Sequence, residues 1–271
     1  MAVDTHTSGI GFDETLVSSV VDAALSLPGP TPVFAIAGLQ GSGKSTLAAQ
    51  VAGLAEQRGL RVAILSIDDF YLGRQQRQRL ARDAHPLLAT RGPPGTHDVS
   101  LALETMESLR AGRATRLPRF DKLADDRLPA TQWPTAPRCD FVLLEGWFLK
   151  TPPQDSDDLT APINALERDE DADGSWRRWC NAALAHDYPG LWRTIDALWF
   201  LQGPGFEVVP EWRWQQEQTL QAADPGRAAM TRAEVGRFVQ FFERVSRQAL
   251  RTLPAIAERT VSLDAQRRSA Q

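Results

Sequence analysis

Residues 38–45 read Gly-Leu-Gln-Gly-Ser-Gly-Lys-Ser, the spacing of glycines, lysine and hydroxyl that makes a phosphate-binding loop. Glycines at Gly38, Gly41 and Gly43 let successive backbone N–H groups turn toward one centre, and a helix opening behind them adds partial positive charge. In such a loop Lys44 reaches the β- and γ-phosphates of a nucleotide and the Ser45 hydroxyl can ligate Mg2+, while the segment from Gly41 through Ser42 to Thr46 holds the triphosphate. Only three of the thirty basic residues are lysines, so a lysine here is informative. A compact ammonium fits between phosphates where a planar guanidinium would crowd.

Two acids follow at the ends of apolar runs. Asp68, in Ser66-Ile67-Asp68-Asp69-Phe70-Tyr71, can accept the proton of a substrate hydroxyl during phosphoryl transfer. An aspartate there also suits a turn or a helix cap, and the pattern does not decide between Asp68 and Asp69 as the base. Glu145, which closes Phe141–Glu145, suits a Mg2+ site or, alternatively, a cap on the next element. An anionic substrate could be gripped by Arg91 with His97 and Asp98, or by Arg119, Asp121 and Lys122 in Leu117-Pro118-Arg119-Phe120-Asp121-Lys122. Surface salt bridging is the competing account of each. Arg213, between Trp212 and Trp214, could neutralise phosphate charge from a closing lid, or those tryptophans could simply pack.

The elements that must position these residues are legible as apolar periodicity. Asp13–Leu27 repeats at about 3.6 residues and predicts an amphipathic helix ending at Pro28-Gly29-Pro30. Pro32–Ala37 is a short continuous apolar run, expected for a strand buried on both faces, and the mainly apolar Arg61–Ile67, Phe141–Glu145 and Ala197–Gln202 read as further strands, with Thr260–Leu263 a fifth. Between the first two runs, Leu47, Val51, Leu54 and Ala55 mark a helix that stops at Gly59, which completes a strand-loop-helix-strand unit of parallel sheet. Leu101–Arg110, Glu211–Gln221 and the stretch holding Phe238, Phe241, Phe242 and Val245 predict further helices. Arg91 to Asp98, dense in Gly and Pro, reads as an ordered turn.

Composition sets the outer limits. A chain of 271 residues, 42% hydrophobic and 24% charged, is of ordinary globular make-up and can bury a full core. It has no run long enough to cross a membrane as a helix and no secretory leader pattern, so a cytoplasmic protein without a membrane partner is expected. The net charge of −4 argues against a nucleic-acid partner. Charge is unevenly spread: residues 74–138 hold twelve bases and seven acids, which suits an anionic small ligand, whereas residues 151–174 hold eight acids and one base. The acidic stretch reads as an inserted, solvated surface loop. Cys139 and Cys180 have neither metal-ligand nor redox spacing and read as small buried apolar residues. The oligomeric state leaves no mark in the sequence.

Taken together, GLQGSGKSTL, SIDDFYL, RGPPGTHDV, LPRFDK and LLEGWFL resemble, in order and spacing from Val33 to Val245, the plant-type D-glycerate 3-kinases and their bacterial relatives, within the uridine kinase and phosphoribulokinase-like branch of P-loop kinases. The resemblance places Asp68 as the catalytic base, Asp69 and Tyr71 beside it on the substrate side, Glu145 at the metal, and Arg213 in the lid. The segment Pro162–Glu167 through Trp176-Arg177 is similar to bacterial relatives, and Leu123–Arg127 is shorter than the Gly-rich stretch many glycerate kinases carry after PRFDK.

The expected fold is therefore a single P-loop α/β domain, a three-layer sandwich with a parallel sheet of about five strands, helices on both faces and a helical lid. Its parts would be an N-terminal helix at 13–27, a substrate-side segment at 72–138, the acidic insertion at 151–174 and a lid at about 205–232. The resemblance implies Mg-ATP as phosphoryl donor and a small hydroxy acid, D-glycerate, as acceptor. Another small-molecule kinase of the branch, a nucleotide-dependent switch ATPase and an ATP-stabilised scaffold are the alternatives. Against the switch, the chain has no N-K-x-D motif and no D-x-x-G after a strand.

Overall fold

The three inner strands of the central sheet are nearly continuous apolar runs because their side chains enter two different cores. In the computed structural model, which describes residues 11–223, 226 and 229–269, the strands are β1 (Val33–Gly38), β2 (Val62–Ser66), β3 (Phe141–Gly146), β4 (Ala197–Gln202) and β5 (Arg259–Ser262). They lie in the order β2-β3-β1-β4-β5, and every pairing is parallel. Val33, Ala35 and Ala37 join Val142, Leu144, Leu198 and Phe200 in one cluster, while Phe34 and Ile36 join Phe141, Leu143, Trp199 and Leu201 in the other. Neither face leaves room for a polar alternation.

The helices are α1 (Glu14–Leu25), α2 (Lys44–Gln57), α3 (Arg74–Asp83), α4 (Val99–Arg110), α5 (Ala165–Glu170), α6 (Ser175–His186), α7 (Pro189–Trp192), α8 (Val209–Ala223) and α9 (Arg232–Ile256). Val17, Val20 and Val21 of α1 and Leu47 and Val51 of α2 cover one face of the sheet. Met106 and Leu109 of α4, Trp176 and Leu184 of α6 and Phe241, Phe242 and Val245 of α9 cover the other. Leu39, Val209, Trp212, Val235 and Val239 form a third cluster, which ties α8 and α9 to the turn after β1. This is the expected P-loop sandwich with a five-stranded parallel sheet.

The topology decides where a ligand can sit. β1 connects past β3 to β2, whereas β3 connects past β1 to β4, so the chain leaves the carboxyl ends of these two neighbouring strands in opposite directions, the position where open α/β sheets take their ligands. Glu145 stands in register with Ile36 of β1 and Ser66 of β2, and Asp68 follows two residues beyond Ser66. Loop, acid and second acid thus reach one edge.

Three segments differ from their sequence reading. The Arg-rich stretch after residue 72 contains α3, whose buried side chain is Arg77 rather than an apolar stripe. The guanidinium is satisfied by the carbonyls of Ala89 at 3.1 Å and Leu72 at 2.5 Å and by the Asp125 carboxylate at 2.6 Å, so hydrophobic periodicity had nothing to register. No element is predicted over residues 175–186, which form α6. The acidic stretch 151–174 is not merely a solvated loop, since it holds α5 and two fully buried carboxylates. Glu167 takes a bidentate pair from Arg244 of α9 at 2.7 and 2.6 Å, and Asp171 pairs with Arg177 of α6 at 2.9 Å. Cys139 and Cys180 are free and buried. Among the described residues no helix is long and apolar enough to cross a membrane.

Candidate active site

Beyond β1 the chain turns through Gly41 at φ 78° and Gly43 at φ 91°, left-handed conformations that favour glycine. At Gly41 the requirement is double, because a Cβ would stand 2.7 Å from the Cβ of Trp212. Trp212 is buried beneath the loop and donates its Nε1–H to the Ala265 carbonyl at 2.8 Å. Gly43 then caps α2, and Lys44 begins it. The Lys44 ammonium is buried and donates to the Leu39 carbonyl at 2.9 Å. Burial lowers its pKa from the usual lysine value, against the pull of Glu145 and Asp68. The Ser42 hydroxyl is buried at the same turn, packed against Gly38, and has no hydrogen-bond partner among the described residues. A loop with a buried ammonium and an unmet hydroxyl is built for an anion's oxygens.

Ser45 and Thr46 are exposed in the first turn of α2. The Ser45 hydroxyl donates to Glu145 Oε1 at 3.0 Å, and Glu145 is itself buried. One hydroxyl and one carboxylate beside a phosphate loop are the donor set that suits Mg2+, which keeps several waters and takes its remaining oxygens from phosphate.

Asp68 lies in the single turn Ile67–Phe70 that follows β2. Its Oδ1 accepts from the Tyr71 hydroxyl and its Oδ2 from Lys122 Nζ, each at 2.7 Å. Burial alone would push its pKa up, but Lys122 and the Tyr71 hydrogen bond outweigh burial and hold it at about 2. Asp69 points elsewhere. It accepts from Arg119 at 3.2 Å and from the Phe120 N–H at 3.4 Å, and burial raises its pKa.

Lys122 sits on the tip of a hairpin whose arms, Phe120–Asp121 and Asp126–Arg127, pair antiparallel. Asp121 turns that tip by accepting from the Leu123 and Ala124 N–H groups at 2.8 and 3.0 Å. Asp125 anchors the hairpin from below, bridging Arg77 and Arg91, and both guanidiniums lie over the Phe120 ring, with centroids 5.5 and 5.6 Å away. Lys44, Ser45, Asp68, Tyr71, Arg91, Lys122 and Glu145 thereby line one cleft of about 450 Å³, together with Trp147, Phe242 and Arg213 of α8. Arg213 also pairs with Glu217 at 3.2 Å and lies 6.0 Å from the Phe238 ring centroid.

Other residues singled out by sequence stand behind this cleft rather than in it. His97 is buried, with Nδ1 2.7 Å from the Tyr188 hydroxyl and its ring 4.7 Å from that of Tyr71. Burial drives its pKa down to about 3, so it is a neutral support for Tyr71. Asp98 caps α4 through the Leu101 N–H at 3.1 Å and pairs with Arg127 at 3.1 Å. Arg119 is held by Asp69, and Asp121 by its own turn. Sequence reasoning missed Asp125, which pairs with Arg91, Arg77, which pairs with Asp125, and Trp147, whose position directly after Glu145-Gly146 was the available signal. It also missed Arg267, whose Nε donates to the Gly41 carbonyl at 2.5 Å from far along the chain, where no local pattern could announce it.

Comparison with known proteins gives the site a setting. No family model matches the chain. The uncharacterized kinase mug58 of Schizosaccharomyces pombe is 34% identical over 200 residues, 70% of this chain and 71% of that protein. The chloroplastic D-glycerate 3-kinase of Arabidopsis thaliana is 30% identical over 237 residues, 83% of this chain and 49% of that protein, so the chain spans about half of the plant enzyme. The solved structure of D-glycerate 3-kinase from Cryptococcus neoformans shares the fold, with a TM-score of 0.77 at 24% identity, covering 95% of this chain and 96% of that one.

Proposed function

This chain belongs to the P-loop kinases that include the D-glycerate 3-kinases, and we propose that it transfers the γ-phosphoryl group of Mg-ATP to a hydroxyl of a small hydroxy acid, converting D-glycerate to 3-phospho-D-glycerate. One observation carries this reading. The Asp68 carboxylate lines the same cleft as Lys44 and Ser45 of the phosphate loop and the cations Arg91 and Lys122, and Lys122 donates to it directly. Phosphate binding, proton acceptance and carboxylate binding then fall within one small volume. The plant relative's name supplies the identity of the acid.

In this mechanism the backbone N–H groups from Gly41 to Thr46 and the Lys44 ammonium bind the β- and γ-phosphates. Ser45 and Glu145 are the residues that would hold Mg2+, which would supply positive charge to offset that of the phosphates. Arg91 and Lys122 take the acceptor carboxylate through charge-assisted hydrogen bonds, and so aim its hydroxyl at the γ-phosphorus. Asp68, oriented by Tyr71, accepts the hydroxyl proton as the new P–O bond forms and the bond to the bridging oxygen breaks, its electron pair leaving with ADP. Arg213, carried on α8, lines the same cleft and is placed to offset charge on the transferring group.

The test is ADP release with Mg-ATP alone and with D-glycerate, L-glycerate, uridine or pantothenate. Strong stimulation by D-glycerate over the others is expected. Stimulation by uridine or pantothenate in its place would move the chain to another acceptor of the same branch, and basal hydrolysis unaffected by any acceptor would favour a switch ATPase.

A further inference from the structure

Resting on that reading, we propose that Lys122 reserves Asp68 for anionic acceptors: its ammonium occupies the carboxylate until an acceptor's own carboxylate draws it away, so water and neutral alcohols meet a base already taken. The two donors on Asp68 are not equivalent. The Tyr71 hydroxyl on Oδ1 belongs to a buried ring packed between His97 at 4.7 Å and Phe120 at 5.2 Å, and cannot leave without unpacking them. Lys122 on Oδ2 rides a hairpin tip on a flexible stem, with its side chain 59% exposed against 26% for Asp68. It is the donor that can move.

The neighbouring cation cannot take the same part. Arg91 is fixed over Phe120 and already paired with Asp125, whereas Lys122 has its ion pair with the proposed base itself. A carboxylate entering the cleft offers the ammonium the same chemistry as Asp68, so exchanging one for the other costs little. A neutral hydroxyl offers no charge and cannot compete. Once the ammonium has moved, Asp68 Oδ2 is open to the acceptor hydroxyl. The proton passes to Oδ2, the alkoxide oxygen bonds to the γ-phosphorus, and ADP departs with the electrons of the broken P–O bond. Hydrolysis would need the same steps with water as the nucleophile, and water brings nothing to displace Lys122. Acceptor binding and release of the base are thereby one event.

The experiment compares the wild type with Lys122→Met and Lys122→Arg, measuring ADP release with D-glycerate, with glycerol, which has the hydroxyls without the carboxylate, and with no acceptor. Binding of D-glycerate without nucleotide is followed by calorimetry. For Lys122→Met, kcat/KM for D-glycerate and its binding should fall by about tenfold or more, while acceptor-free hydrolysis and glycerol phosphorylation rise, lowering the preference for D-glycerate over glycerol by roughly a hundredfold. Lys122→Arg should restore much of that preference. Equal losses with D-glycerate and glycerol, with hydrolysis unchanged, would overturn the proposal and leave Lys122 an ordinary binding residue. If D-glycerate proves not to be the acceptor, acceptor-free hydrolysis still decides: a rise in Lys122→Met supports the hold on Asp68, and no rise refutes it.

Discussion

The Ser45 hydroxyl donates to the Glu145 carboxylate at 3.0 Å, joining the first turn of α2 to the end of β3 across the mouth of the phosphate loop. Parallel pairing of β3 with both β1 and β2 brings these two oxygens together, although they are 100 residues apart in the chain.

Glu145→Gln keeps the size of the side chain and a hydrogen-bond acceptor for Ser45 but removes the charge a divalent cation needs. The Mg2+ concentration that gives half-maximal ADP release should rise by about tenfold or more. A magnesium titration of both proteins checks this, and chelation of the metal should silence the wild type reversibly.

Asp68→Asn retains the shape and the Tyr71 contact but cannot accept a proton. Turnover should fall by roughly 10² to 10⁴, while ATP affinity, read by calorimetry, stays within a few-fold of wild type. Near-normal turnover would remove Asp68 as the base. Asp69→Asn, whose target already spends its charge on Arg119, should affect turnover far less.

The buried pair between Glu167 and Arg244 makes a stability prediction. Arg244→Met strands a buried carboxylate and should cost about 3 to 5 kcal/mol in urea unfolding. Adding Glu167→Met should recover at least half of that loss, because the stranded charge is then gone. The Asp158 and Ala161 carbonyls, which Arg244 also serves at 2.7 and 2.8 Å, account for the part not recovered.

His97 gives the chain an acid sensitivity whose sign is fixed by its depressed pKa. Burial holds the folded-state value at about 3, whereas the unfolded chain takes up a proton near the usual 6.5. Between those values the unfolded state binds more protons, so stability is full above pH 6.5 and falls as pH drops through the window, by up to about 1.4 kcal/mol per pH unit. His97→Phe should flatten that dependence between pH 7.5 and 5 in denaturant titrations. An unchanged slope would show that His97 is not the group responsible.

Much of the fold was legible because it is held by patterns that are local. A strand buried on both faces must be apolar along its buried length, and Pro32–Ala37, Phe141–Leu144 and Ala197–Leu201 are. The phosphate loop is a contiguous motif, and Asp68 and Glu145 stand where such strands end. What stayed hidden depends on charges that meet across the fold. Arg77 gives α3 a polar buried face, and the acids of 151–174 read as solvated because their partners, Arg244 and Arg177, come from other helices. In the same way His97, Asp98, Asp69, Asp121 and Arg119 have the residue types of a binding site. Only the packing assigns them to supporting Tyr71, capping α4 and shaping the hairpin.

The most direct measurement is phosphorus and carbon NMR of the products formed when the purified protein is incubated with Mg-ATP and D-glycerate. A phosphate ester on the C3 oxygen of glycerate, formed in equal amount to ADP and lost with Asp68→Asn, is the expected result. ADP accompanied only by inorganic phosphate, with D-glycerate unchanged, would contradict the assignment of this cleft as a hydroxy-acid kinase site.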